Sequence, residues 1–415
     1  MTTTTNNEHK KLNVPNLRFP EFQGEWKKCI LGDITENFNL RNKDKIQYPM
    51  FSVTNDRGFV PQSEQFEGRD MVGEDIKAYK IIHSNDFAYN PARINVGSIA
   101  MYTGEKPCMI SSLYVCFKTT KEVNNEWLMQ LLKTPKMNYY YNVNGEGGVR
   151  VYLFYPNFAR IRMSIPKIEE QKKIAKLLNL IDERIAAQNK IIEDLKKLKC
   201  AIIEDLYCSP KQREPKRRFL EYSLPLSSYR MKDFCERITE KNKDNKCSLV
   251  LTIAAQYGLV DQKTFFNKSV ASENLTSYYI LHKGDFAYNR SYSTGYAWGA
   301  VKRLDKYEDG VLSTLYICFK INETIVDSDY LSYYFESTKW HKGVSDISGE
   351  GARNHGLLNI SVTDYFDTEH CFPHIEEQKR IASMLNAITV KEQKAIGLEK
   401  LYSKQKQYLL RQMFI

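Results

Sequence analysis

The stretch "PKIEEQKKIAKLLNLI", residues 166–181, returns as "PHIEEQKRIASMLNAI", residues 373–388, with eleven of sixteen positions identical. Each copy opens on proline, which suits a first helical turn whose N–H groups need no partner. Glu169 and Glu170, and again Glu376 and Glu377, then sit at the positive end of the helix dipole. No Gly or Pro interrupts residues 167–207, so the first helix extends ~60 Å at 1.5 Å per residue. Its apolar row runs Ile174, Leu178, Ile181, Ile185, Ile192, Leu195, Leu198, Ile202 and Leu206, with Gln188 as the polar member. In the second copy the row runs Ile381, Leu385, Ile388, Ala395, Leu398, Leu401, Gln405, Tyr408 and Met413, broken by Glu392. This near-heptad spacing predicts a narrow seam that wants a partner helix. One helix leads from the first half to the second and the other returns, so the pair is expected to be antiparallel.

The repetition runs through the whole chain. "HSNDFAYN" (83–90) matches "HKGDFAYN" (282–289), "SLYVCFK" (112–118) matches "TLYICFK" (314–320), and "NGEGGVR" (144–150) matches "SGEGARN" (348–354). The order is constant while the offset drifts from 199 to 207, as in two homologous halves with small loop insertions. "LYVCFK" and "LYICFK" suit buried strands, and "NEWLMQLLKTPK" (125–136) and "SDYLSYYFESTK" (328–339) suit short helices. The expected fold class is α+β: two homologous globular domains held apart by an antiparallel coiled coil of two long helices, with pseudo-twofold symmetry. The expected boundaries are a polar, disordered tail at 1–16, a first domain at 17–165, a long helix at 166–210, a basic linker at 211–218, a second domain at 219–372 and a second long helix at 373–415.

Charge is uneven along these segments. The net of +10 divides into +4 for 1–165, +1 for 166–210, +4 for "KQREPKRR" (211–218), −3 for 219–372 and +4 for 373–415. Bulk charge therefore makes neither domain a binder of polyanions; any such role needs positive groups gathered on one face. No run approaches the 18 or so apolar residues of a membrane-spanning helix, and the amino terminus lacks a signal-peptide core. A cytoplasmic protein without membrane contact is expected. The nine cysteines form no C-x-x-C pair and read as reduced, mostly buried thiols. His83 and His282 precede the matching strands and read as turn or core residues.

The doubled P-x-I-E-E-Q-K helix starts, the helix ends "LKKLKCAIIEDLY" and "KLYSKQKQYLLRQMF", and the paired "NDFAYN"/"GDFAYN" and "GEGG"/"GEGA" motifs make this chain resemble the specificity subunit of type I restriction-modification systems. The resemblance covers the full length. It implies that each globular domain is a target recognition domain reading one half of a bipartite, asymmetric site in double-stranded DNA. It also implies that the helices set the spacer and dock two modification (methyltransferase) subunits, joined by restriction (translocase-nuclease) subunits. On this reading the chain is not an enzyme and binds no cofactor. S-adenosylmethionine belongs to the modification subunits, which methylate adenine N6, and ATP and Mg belong to the restriction subunits. The sequence agrees by omission: it contains no Asn/Asp-Pro-Pro-Tyr/Phe motif, no G-x-G-x-x-G after a strand and no phosphate-binding loop.

Reading residues are expected where the halves diverge. After the shared "DFAYN" these are Asn90, Arg93 and Asn95 in the first half, and Arg290, Tyr292, Ser293 and Tyr296 in the second. The turns before the long helices offer Arg150, and Arg353, Asn354 and His355. A third pair of loops offers Asn55 and Arg57, aligned with Gln256 and Tyr257. Arg grips guanine through O6 and N7, Asn pairs with adenine, and Tyr and Ser more often contact backbone. In the linker, Arg213, Lys216, Arg217 and Arg218 are candidates for phosphate. Two other readings stay open: a stand-alone DNA-modifying enzyme, and a coiled-coil protein whose heads bind protein.

Overall fold

The structure, a computed structural model, describes residues 12–65, 76–147, 151–267, 274–293, 295–349 and 358–415. The chain divides into two compact units, Met1–Gln188 with Leu398–Ile415, and Asn189–Gly397. In the first, a four-stranded antiparallel sheet runs in the order Thr35–Phe38, Val115–Thr119, Phe87–Tyr89, Ile99–Met101. Three two-stranded antiparallel pairs accompany it: Lys27–Ile30 with Arg162–Ile165, the hairpin Phe51–Thr54 with Gly58–Pro61, and Lys80–Ile82 with Cys108–Ile110. The second unit repeats this strand for strand. Its sheet runs Cys235–Arg237, Ile317–Ile321, Phe286–Asn289, Ala300–Arg303, and its pairs are Ser227–Arg230 with Glu369–Phe372, Leu251–Ala254 with Gly258–Asp261, and Tyr279–His282 with Asp309–Leu312.

The repeated motifs are the frame of this topology. In "DFAYN" the aromatic side chains alternate inward: Phe87 and Tyr89 in one unit, Phe286 and Tyr288 in the other, all buried against Phe117 or Phe319. The aspartate makes the turn before the strand, since Asp86 accepts the His83 N–H at 2.8 Å and Asp285 the His282 N–H at 2.7 Å. The asparagine makes the turn after it: Asn90 accepts the Ala92 N–H at 3.0 Å and Asn289 the Ser291 N–H at 2.9 Å. All nine cysteines are unpaired, and six are buried.

The long helices span Ile168–Leu206 and Ile375–Gln412. Their repeated starts are latches, which the dipole argument did not anticipate. Glu170 is buried and receives a two-pronged hydrogen bond from Arg18, at 2.8 and 2.7 Å, with the Trp26 indole N–H at 3.3 Å. Glu377 is held the same way by Arg218, at 2.8 and 2.6 Å. The next residue is a buried glutamine that sews the helix to the preceding loop. Gln171 donates to the carbonyls of Glu122 and Pro166 and accepts the Asn124 N–H, and Gln378 does the same with Ile325, Pro373 and Asp327. Each helix therefore begins inside its own unit, where Ile174, Leu178 and Ile181, and Ile381 and Leu385, complete the core.

Further along, Ile185, Gln188, Ile192, Leu195, Ile202 and Leu206 stay half-buried as expected, and the second helix departs from its expected row only between 398 and 408. Leu198, Leu398, Leu401 and Tyr408 are exposed. The facing positions carry Lys199 on one helix and Glu392, Ala395, Tyr402, Lys406, Leu409 and Met413 on the other. In the second unit Lys199 reaches Glu392 at 3.0 Å. In the first, Lys406 reaches Asp182 at 2.5 Å and Arg184 lies over the Tyr402 ring. In the first unit the partner falls from Lys406 to Tyr402 as the residue number rises from Asp182 to Arg184, so these two segments run antiparallel there. At the exposed positions the inward side falls one residue further on, at Lys199, Tyr402, Lys406 and Leu409, so the seam is stitched partly by polar pairs.

Residues 12–16, expected within a disordered tail, have a defined place. Asn13 donates to the Trp26 carbonyl at 2.6 Å and to Ser164 at 3.0 Å, tying it to the first strand pair; residues 1–11 lie outside the described residues. The linker at 211–218 is partly engaged, with Arg218 in its latch and Arg217 3.4 Å from Asp205.

Candidate nucleic-acid interface

The hairpin Phe51–Thr54/Gly58–Pro61 presents Asn55 and Arg57 at its tip, both exposed, with neither side chain bonded among the described residues. Thr54 shapes the tip by accepting the Arg57 N–H at 3.0 Å. Beside it lies a single helical turn, Ile94–Val96, which starts at exposed Arg93. The two loops touch through backbone. Gly97 has φ +103°, and a Cβ there would stand 2.9 Å from the Asn55 carbonyl oxygen, so only glycine allows this approach. Ser98 adds a hydrogen bond to the Val53 carbonyl at 2.7 Å. Between these loops and the helix Pro135–Asn144 is a cleft of about 520 Å³, lined among others by Asn55, Asn95, Val96, Lys133 and Asn138. The cleft is lined by Asn55, Asn95 and Asn138, and the loops that border it carry exposed Arg57 and Arg93, a chemistry suited to base edges and to phosphate.

In the second unit the matching hairpin tip holds Gln256 and Tyr257, both exposed. Tyr257 is joined by exposed Phe265 and Phe266, with ring centroids 6.5 and 5.0 Å apart in sequence. Tyr292 and Ser293 are exposed as expected, whereas Tyr296 is half-buried against the core and burial raises its pKa. Arg290 differs most from its expected role. Its guanidinium donates to the Ile360 carbonyl at 2.9 Å and the Leu315 carbonyl at 3.1 Å, so it clamps two loops of its own unit. Asn90, through its turn hydrogen bond, also belongs to the frame. Arg150, Arg353, Asn354 and His355 lie outside the described residues.

Three features escaped the sequence reading. Asn138 and Asn142 line one helix face beside the first reading loop; in the second unit, where buried Trp340 and Val344 match Met137 and Tyr141, the corresponding residues are His341 and Ser345. Leu113 and Leu315, at matching turns, are exposed in both units. His282 pairs with exposed Asp309 at 2.5 Å, which raises its pKa. Among the described residues no group of His, Cys, Asp and Glu could hold a metal ion, and no helix is long and apolar enough to cross a membrane.

Residues 24–197 match the family model of the type I restriction modification DNA specificity domain. The chain is 25% identical over 209 residues to a protein of Methanocaldococcus jannaschii named as the MjaX type I restriction enzyme specificity subunit, covering 48% of this chain and 49% of that one. It therefore spans about half the length of that relative. To the MjaVIII type I restriction enzyme specificity subunit of the same organism it is 25% identical over 351 residues, covering 77% of each. Among solved structures it is similar to the S subunit of a type I restriction-modification system from M. genitalium, with TM-score 0.56 and 11% identity, over 97% of this chain and 99% of that one. At that identity the likeness is one of fold. The family resemblance and the mixed α+β class read from the sequence are both borne out.

Proposed function

We infer that this chain is the DNA-specificity subunit of a type I restriction-modification complex. Each unit reads one half of a bipartite, asymmetric target in double-stranded DNA, and the long helices set the spacer and dock two modification subunits. Restriction subunits complete the assembly. The chain itself is non-catalytic. Transfer of a methyl group from S-adenosylmethionine to adenine N6 is the work of the modification subunits, and cleavage with ATP and Mg is that of the restriction subunits, all in the cytoplasm.

One observation carries this reading: the two units share their frame strand for strand, and their exposed loop tips differ. Asn55 and Arg57 stand where the other unit has Gln256 and Tyr257. A frame used twice with different tips suits a target made of two unlike words. The net charge of −3 over residues 219–372 means that phosphate contacts depend on locally placed cations rather than on a general field.

The test is a methylation map of whole genomes with and without the gene. A split adenine motif that vanishes with the gene supports the reading, and an unaltered map overturns it. Methylation by the purified chain with S-adenosylmethionine and no partner would instead establish an enzyme.

A further inference from the structure

We propose that Asn95 reads an adenine in the half-site of the first unit, and that Asn142 is the residue that positions it; this rests on the DNA-reading function inferred above. The orientation of both amides follows from one backbone carbonyl. Asn142, on the helix Pro135–Asn144, donates its Nδ2 to the Asn138 carbonyl at 2.9 Å. A carbonyl only accepts, so the Asn142 nitrogen must face the helix and its Oδ1 must face away. That Oδ1 in turn accepts Nδ2 of Asn95 at 3.0 Å, which orients the second amide. Asn95 then has its carbonyl oxygen and one remaining N–H unengaged among the described residues. A side-by-side acceptor and donor is the pattern that pairs with N6 and N7 of adenine in the major groove.

The amide is also held rigidly. Asn95 lies in the turn Ile94–Val96, pressed against the Asn55 loop by the close approach at Gly97 and packed beside the helix that carries Asn142. A pre-oriented amide loses little freedom on binding. Among the described residues the second unit has no such pair of amides. Where buried Trp340 and Val344 match Met137 and Tyr141, the positions of Asn138 and Asn142 carry His341 and Ser345. The frame is common, and this reading position is not.

The experiment uses the complete complex, reconstituted with its modification subunits, on a duplex library with both half-sites randomised. Methylated products are sequenced for wild type, Asn95→Ala, Asn142→Ala and Asn142→Asp. The wild type is expected to show a split motif. Asn95→Ala should lower discrimination at one A·T pair of one half-site by about 5- to 150-fold, the range for a lost two-pronged base contact. Asn142→Ala should relax that same position to a smaller degree. Asn142→Asp should restore it, because a carboxylate oxygen still accepts the Asn95 N–H. Every other position should stay unchanged. The assignment is overturned if Asn95→Ala leaves the motif intact, if all positions weaken alike, if the relaxed pair is G·C, or if Asp at 142 behaves as Ala does. A wild-type complex with no split motif would overturn the inferred function itself, a distinct result.

Discussion

Replacing Arg18 with alanine would leave the Glu170 carboxylate buried and nearly alone. The Glu170 side chain is 2% exposed. Arg18 meets both its oxygens, at 2.8 and 2.7 Å, and only the Trp26 indole N–H at 3.3 Å would remain. Breaking a buried pair from one side costs about 3–5 kcal/mol, mostly the penalty of the stranded charge. The double variant Arg18→Ala, Glu170→Gln removes that charge and should recover about 2 kcal/mol, since a neutral amide strands only hydrogen-bonding capacity. Hydrogen exchange on the full chain reads the effect locally. Peptides covering 166–181 should exchange roughly two to three and a half orders of magnitude faster in Arg18→Ala. Peptides covering 373–388, whose Arg218–Glu377 latch is untouched, provide the control within the same molecule. Protection at 166–181 within tenfold of wild type, or a double variant no better than the single, would refute the latch.

Three further outcomes are expected. In the second unit Glu392→Ala strands half-buried Lys199 and should cost about 1–3 kcal/mol in urea unfolding, while the reversed pair Lys199→Glu, Glu392→Lys should regain most of it. His370 is buried between the Tyr334 and Thr368 hydroxyls, and burial pushes its pKa down to about 3 from 6.5. The unfolded chain takes up this proton first. Stability of the second unit should therefore fall as pH drops below 6.5, by about 1.4 kcal/mol per pH unit until about 3. His370→Asn should flatten the decline, and the first unit, with Met163 at the matching strand position, should lack it. Finally, exchanging residues 219–372 for another such domain should change one half of the methylated motif and leave the other intact, as read by methylome sequencing.

Much of the fold was legible because duplication supplies its own alignment. The helices begin and end close to the expected boundaries, and "LYVCFK" and "LYICFK" are the buried second strands of the two sheets. The latch was legible too, had "RFPEF" (18–22) been set against "RFLEY" (218–222). The seam departs from the apolar rows locally, because hydrophobic periodicity ignores positions where charged residues turn inward: Lys199 and Lys406 fall on the seam, paired with Glu392 and Asp182, and Leu198, Leu401 and Tyr408 fall beside it.

The order of elements, their doubling and the divergence of the loops are properties of the chain alone, since local spacing and self-similarity need no coordinates. Tertiary structure alone decided which polar side chains remain available to a ligand. Arg18 and Glu170 are 152 residues apart, and Arg290 meets a carbonyl 70 residues away. An arginine has the same donors whether it clamps its own backbone or waits for a phosphate. What separates Arg290 from exposed Arg57 and Arg93 is the acceptor that folding carries to it, and long-range geometry is what a linear string leaves out.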